Sequence, residues 1–405
     1  MTQLLLLNRT FLTLMRPGLF CASLALAAVS PAMEIAADYH VPFTPENAVL
    51  GYFPAKKKPV LSVKSGAIVR IDGGGGIRYQ RPTTPPAPGA PPEATPPAPP
   101  TPPPPAPIPT AEEINTWLKE NNLPLTLETT PALMETLKVL KETPRPSQVT
   151  GGHLLVGPIY IEDADVGDSL EVRILDVTPR IPYGTVGGRP GGGALPQETP
   201  RPFNFAVPID LKRNAGIFDK NVEVPLSPFM GVMATCPADS EGEFRKSGPP
   251  GPFGGNLDCK ELCAGSTLYL PIFQKGALFF TGDSHAAQGD GEVTVNAIET
   301  ANTCTLQFIL HKGKTLKMPR AENYENYLTF GLDPDLDKAM HQAILETIAF
   351  LQEKQSYDFF QAYALASIAV NFRVTQVVDA TLGVHGMIPK KIFVNDANPY
   401  WYRAK

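Results

Sequence analysis

Charge is scarce in this chain. Only 19% of its 405 residues are Asp, Glu, Lys or Arg, with acidic residues ahead of basic ones by 40 to 35. Phosphate binding wants clustered Lys and Arg, so that balance excludes a broad nucleic-acid footprint. Cysteine is sparse as well. Beyond the N-terminal segment there are Cys236, Cys259, Cys263 and Cys304. Cys259 and Cys263 are spaced C-x3-C with no second matching pair, a poor zinc-finger signature, and the expectation is buried thiols or one bridge. After residue 32 no apolar run is long enough for a transmembrane helix, which needs ~20 residues. What is plentiful is 45 prolines and 34 glycines. Proline removes a backbone donor and fixes φ, which excludes an all-helical body and points to strands and loops.

Residues 1–32 read as a secretory signal peptide. Arg9 and Arg16 precede an apolar stretch from Gly18 to Val29, then the small-x-small run Ser30-Pro31-Ala32. The expected location is therefore periplasmic or secreted, with no stable membrane insertion once the signal is cleaved. Residues 33–81 look like strands, with 59–63 and 67–71 flanking the turn Lys64-Ser65-Gly66. From Pro82 to Pro109 more than half the residues are proline, which predicts a stiff polyproline II spacer. Thr110 with Glu113 forms a capping box ahead of Ile114, Trp117 and Leu118, and a second helix is predicted over 131–142. Residues 82–146 thus read as an insertion, a rigid arm carrying a helical hairpin, between 33–81 and 147–405, the two parts of one main domain.

Alternation of Leu170, Val172 and Ile174 with Glu171 and Arg173 predicts a half-buried strand, and Leu268, Leu270 and Ile272 another. Strands are also expected at 277–281 and 293–298, on either side of a polar loop. Asp333-Pro334 supplies an N-cap and first residue for a helix with Leu336, Met340, Ile344, Ile348 and Leu351 on one stripe. A helix over 357–367 and a strand through Val370, Phe372 and Val374 follow. The fold class is α+β, predominantly β: a sandwich- or barrel-like body with a few packing helices.

Two segments could carry chemistry. In residues 282–292, Gly-Asp-Ser-His-Ala-Ala-Gln-Gly-Asp-Gly-Glu, three carboxylates, a histidine and a glutamine fall among turn-forming glycines. Crowded acids shift each other's pKa, and they offer oxygen and imidazole ligands to a metal; a solvated loop with capping aspartates is the plainer alternative. In residues 254–258, Gly-Gly-Asn-Leu-Asp, the i, i+2 spacing puts Asn256 and Asp258 on one strand face if the segment is extended; a turn stabilised by Asn and Asp is the alternative.

These segments, with 262–271, Gly276-Ala277-Leu278-Phe279, Gly157-Pro158-Ile159-Tyr160-Ile161, 373–378 and Gly383-Val384-His385, resemble the signature of the acetamidase/formamidase family. The likeness covers most of residues 45–395 outside the Pro-rich insertion. It implies hydrolysis of a small carboxamide to a carboxylate and ammonia on a β-rich fold, with zinc or another divalent metal as cofactor. Carried onto this sequence, it implies Asp258 and His285 as metal ligands with Asp283 as a third. Glu292 becomes the general base with Asp290 as its fallback, and Asn256, Gln288 and His153 bind or orient substrate. Nothing resembles the Glu-Lys-Cys arrangement of a different amidase family.

Two departures stand out. Val49-Leu50 precedes Gly51 where the family usually has His-Trp, and Ser284 stands in place of a usual glycine. The resemblance also implies a homodimer or larger homo-oligomer, with the helices after Asp333 as candidate interface. Two further readings compete: a non-catalytic ligand- or envelope-binding relative, and a hydrolase of lactams or larger amides.

Overall fold

A computed structural model describes residues 35–77 and 107–394. The expected signal peptide and the Pro-rich run lie outside the described residues, apart from the run's last residues, 107–109. The described residues form one compact unit.

The architecture is mostly β, with four α-helices among the described residues. A nine-stranded sheet runs in the order Tyr39–Val41, Ile68–Asp72, Asn302–His311, Ser169–Pro179, Thr267–Pro271, Arg320–Glu322, Asn326–Asp333, Leu382–Pro389, Asn371–Gln376. A six-stranded sheet runs Gly254–Asn256, Phe229–Ala234, Phe279–His285, Leu154–Ile161, Ala48–Leu50, with Leu61–Val63 parallel to Leu154–Ile161. Glu223–Pro225, Ala215–Ile217, Phe203–Asp210 and Tyr183–Gly188 make a smaller four-stranded sheet.

The two large sheets share one apolar core. Val156, Ile159, Met230 and Phe279 come from the six-stranded sheet, and Leu170, Val172, Leu306 and Phe308 from the nine-stranded one. The alternation read at 170–174 is what aims those side chains inward, since successive residues of a strand point to opposite faces. Phe279 and Phe308 meet edge to face at 4.9 Å, a geometry worth ~0.5–1.5 kcal/mol beyond burial.

Helix α1 (Ala111–Glu120) begins at the expected capping box, Thr110 with Glu113, and α2 is Pro131–Glu142. Both helices bury Ile114, Leu118, Leu133 and Leu137 against Ile181, Tyr183 and Ala301. The hairpin is thereby part of the body rather than the tip of a free arm. Helix α3 (Leu336–Gln355) is capped by Asp335, not Asp333; the Asp335 side chain accepts from the Lys338 N–H, while Asp333 accepts from the Asp335 N–H. Helix α4 is Phe359–Ala369.

The expected strand over 293–298 does not form. Its β-branched residues lie in a loop joining Phe279–His285 to Asn302–His311, and Glu292 and Val295 adopt positive φ. β-propensity there yields to the positions the loop must hold. Among the described residues, Cys236, Cys259, Cys263 and Cys304 are free thiols.

Candidate active site

Strand Phe229–Ala234 lies between Gly254–Asn256 and Phe279–His285, antiparallel to both. Its register, Met230 with Ser284 and Val232 with Gly282, sets Gly231 opposite Asp283. The Gly231 carbonyl accepts the Asp258 N–H at 3.3 Å. A Cβ at position 231 would lie 2.3 Å from Asp258 Oδ1, 2.7 Å from Asp283 Oδ2 and 3.0 Å from His285 Cε1. The missing side chain lets residues from two separate segments meet.

Asp258, Asp283 and Glu292 all have left-handed backbones, with φ of 46°, 60° and 43°. Non-glycine residues adopt that region sparingly, at a cost on the order of 1 kcal/mol or more, and such strain persists where surrounding structure enforces it. It also answers the sequence reading of Asn256 and Asp258. The strand ends at Asn256, and the left-handed backbone of Asp258 beyond it, rather than a shared strand face, aims the Asp258 side chain.

His285 is the hub. Its ring is fully buried against Phe229, edge to face at 4.9 Å. Nδ1 faces Asp258 Oδ1 at 3.8 Å, while Nε2 faces Asp283 Oδ2 at 3.3 Å and Glu299 Oε1 at 3.5 Å. Burial disfavours the charged ring, but Asp283 and Glu299 outweigh it and hold the His285 pKa well above its ordinary value. Burial, then the charges of Glu292, Asp379 and Asp283, raise Asp258. Burial, then Asp379, Glu299 and Asp283, raise Glu292. Asp379 is pushed up to about 6, again chiefly by burial.

Two groups of ligand atoms, Asp258–His285–Glu292 and Asp283–His285–Glu299, each lie within 4.8 Å of one another. Both oxygens of Asp258, both nitrogens of His285 and Glu292 Oε2 are buried without a hydrogen-bond partner. Buried polar atoms are seldom left so, and carboxylates crowded to this degree call for a counter-charge. The donors, one imidazole among carboxylates, fit a divalent cation.

The remaining expected residues sort clearly. Gln288 Nε2 donates to the Asp258 carbonyl at 2.6 Å, and its Oε1 is buried without a partner. Asn256 is buried beside Val232, with Oδ1 likewise unpartnered. His153 stands at the rim, its Nδ1 3.0 Å from Ser247 Oγ and its Nε2 3.8 Å from Asp283 Oδ2. Asp290 turns away from Glu292. It pairs with Lys260 at 3.1 Å and joins Glu261 and His385 in a third group. Val49, at the first of the two departures, packs in an apolar cluster with Phe53, Phe253 and Phe280.

Glu299 and Asp379 were missed by sequence reasoning. The Glu299 backbone bridges both His285 and Thr185. Asp379 arrives from the far end of the chain. Gly291 N–H donates to Thr375 C=O and Val377 N–H to Gly291 C=O, and the Gln376 side chain accepts from Val378 and Asp379 N–H. The only sequence signal was the block 373–378 just before it.

A predominantly β body gathers buried carboxylates on one histidine, a donor set that fits a divalent cation. The family model for the acetamidase/formamidase family matches residues 142–247 and 241–395, well over half the chain, and the chain belongs to that family. It is similar to a formamidase of Methylophilus methylotrophus, 26% identical over 337 residues, covering 63% of this chain and 80% of that protein. An acetamidase of Mycolicibacterium smegmatis is 26% identical over 294 residues, covering 53% and 72%. The crystal structure of an acetamidase from Bacillus halodurans superposes with a TM-score of 0.66 at 25% identity, over 88% of this chain and 100% of that one.

Proposed function

We propose that the chain hydrolyses a small carboxamide, RCONH2 + H2O giving RCOOH + NH3, at the Asp258–His285–Glu292 cluster. The observation that carries this reading is the buried convergence of those three side chains with their polar atoms unpartnered. Family membership and relatives named formamidase and acetamidase support it.

Asp258 and His285 would hold a divalent ion, with Asp283 on the other edge of the ring; zinc is the proposed ion because imidazole favours it over the harder cations. Such an ion, when bound, polarises a carbonyl and lowers the pKa of water. Glu292, whose proton affinity is raised by burial and neighbouring carboxylates, accepts the proton of the attacking water and returns it to the departing nitrogen. Gln288 Oε1 accepts an N–H of the amide, and its Nε2 bond to the Asp258 carbonyl fixes its direction. His153, held by Ser247, borders the opening on the Asp283 side. The charge and apolar pattern of residues 1–32 supports export, and the periplasm or the cell exterior is the proposed location of the reaction.

Ammonia release from formamide and acetamide, measured before and after chelation and zinc restoration, tests this. Release that vanishes on chelation and returns with metal is expected. Absence of release from both amides by the zinc-loaded protein would overturn the reading.

A further inference from the structure

Ser247 ties His153 down twice. The His153 backbone N–H donates to Ser247 Oγ at 3.1 Å, and Nδ1 of the ring lies 3.0 Å from the same oxygen. Gly51 links the two residues: its N–H donates to the His153 carbonyl and its carbonyl accepts the Ser247 N–H, both at 2.9 Å. A Cβ at Gly152 would lie 2.8 Å from Ser247 Oγ and 2.6 Å from the Gly51 Cα. Only glycine there admits the hydroxyl.

This arrangement places a proton. Ser247 is fully buried, and its oxygen already accepts the His153 backbone N–H, so its own hydroxyl proton needs an acceptor. Among the described residues the one hydrogen-bond partner able to accept it is His153 Nδ1. A ring nitrogen that accepts carries no proton, so the network assigns a neutral imidazole with its proton on Nε2. Nε2 faces Asp283 Oδ2 at 3.8 Å, too far for a hydrogen bond to occupy that proton. The His153 side chain is 20% exposed where that of His285 is 0%, so a ligand entering from solvent meets His153 first.

We propose that His153, held in this tautomer by Ser247, donates its Nε2–H to the carbonyl oxygen of the substrate amide as water adds and that oxygen becomes negative. The inference rests on the amidase reading above. A carbonyl oxygen gaining charge beside Asp283 and its neighbouring carboxylates is repelled by each one that is ionised. A preorganised donor offsets that repulsion, and more in the transition state than in the bound amide. Ser247 is a positioning residue, acting only through the ring.

The test first reads the tautomer by nitrogen-15 NMR of the zinc-loaded full chain carrying labelled histidine, with the His153 ring assigned by its loss in His153→Gln. The expected result is a protonated Nε2 and a bare Nδ1 in wild type, giving way to mixed tautomers in Ser247→Ala. A proton on Nδ1 in wild type, or one unchanged tautomer in Ser247→Ala, overturns the assignment. Acetamide kinetics then separate two variants, because a glutamine amide reaches the Nε2 position and an asparagine amide only the Nδ1 position. His153→Asn should lose ~10²-fold in kcat with KM changed less than about threefold, and His153→Gln should lose about tenfold or less, on the scale of one oxyanion donor. Equal kcat losses in the two variants, or a loss confined to KM, overturn the donor role and leave the amidase reading intact. Should wild type release ammonia from neither formamide nor acetamide, the amidase reading fails and the donor role with it, while the NMR result still decides whether Ser247 sets the His153 tautomer.

Discussion

Asp258 Oδ1 lies 3.8 Å from His285 Nδ1, and the bare Cα of Gly231 is the floor beneath them. Gly231 does not use a positive φ, so its smallness, not its flexibility, is what the site requires. Gly231→Ala should leave the fold and far-ultraviolet circular dichroism unchanged. Activity should fall ~10²-fold, the scale of a 1 Å misplacement of catalytic groups, and bound metal should drop, as mass spectrometry of the purified protein would measure. Wild-type metal content and turnover in this variant would remove the cradle from the explanation.

Glu292 and Asp290 are two residues apart but have opposite surroundings, one buried among carboxylates and the other ion-paired at the surface with Lys260. Glu292→Gln should keep the metal and lose ~10²–10⁴-fold in kcat, the span of general-base contributions. Asp290→Asn should change kcat less than about fivefold, since exposed ion pairs contribute ~0–1 kcal/mol. The reverse ranking would make Asp290 the base.

Asp379 offers a test of the residue that sequence reasoning missed. Its carboxyl is pushed up to about 6 by burial, and its Oδ2 is buried without a partner. Asp379→Asn should lower kcat/KM more than tenfold while secondary structure persists. Activity equal to wild type would make it a bystander.

How much of this was legible follows from where each residue comes from. Asp258, His285 and Glu292 sit in short glycine-flanked runs, and such runs show themselves in sequence because sharp turns need glycine. The strand alternation around Leu170 and Leu268 and both N-terminal helices could be read because their signals are local. Asp379 and Glu299 could not, because long-range contacts place them: a C-terminal strand pinned to Gly291, and a backbone bridge from Thr185 to His285 through Glu299. The segment 293–298 misled because Val293 and Val295 carry strand propensity in a stretch that tertiary contacts hold as a loop. Gly231, flanked by apolar residues, gave no hint that three site residues close over it.

His385 makes stability depend on pH. Its ring is buried beside Asp290, Arg373 and Lys260, and burial lowers its pKa from 6.5 to about 4. The unfolded chain therefore takes up a proton first as pH falls. Stability from this group is full above pH 6.5 and is lost on descending toward 4, by about 3 kcal/mol in all. Urea unfolding at pH 7.5 and 4 should show wild type losing that much more than His385→Gln. Equal losses would mean the ring titrates alike in both states.

The most direct measurement is an anomalous difference map from crystals of the zinc-loaded protein. The expected result is one strong peak bonded to His285 and to the Asp258 carboxylate, lost in crystals of His285→Ala. A map with no peak on His285, or with zinc bound only elsewhere, would contradict the joining of the two segments around a single cation.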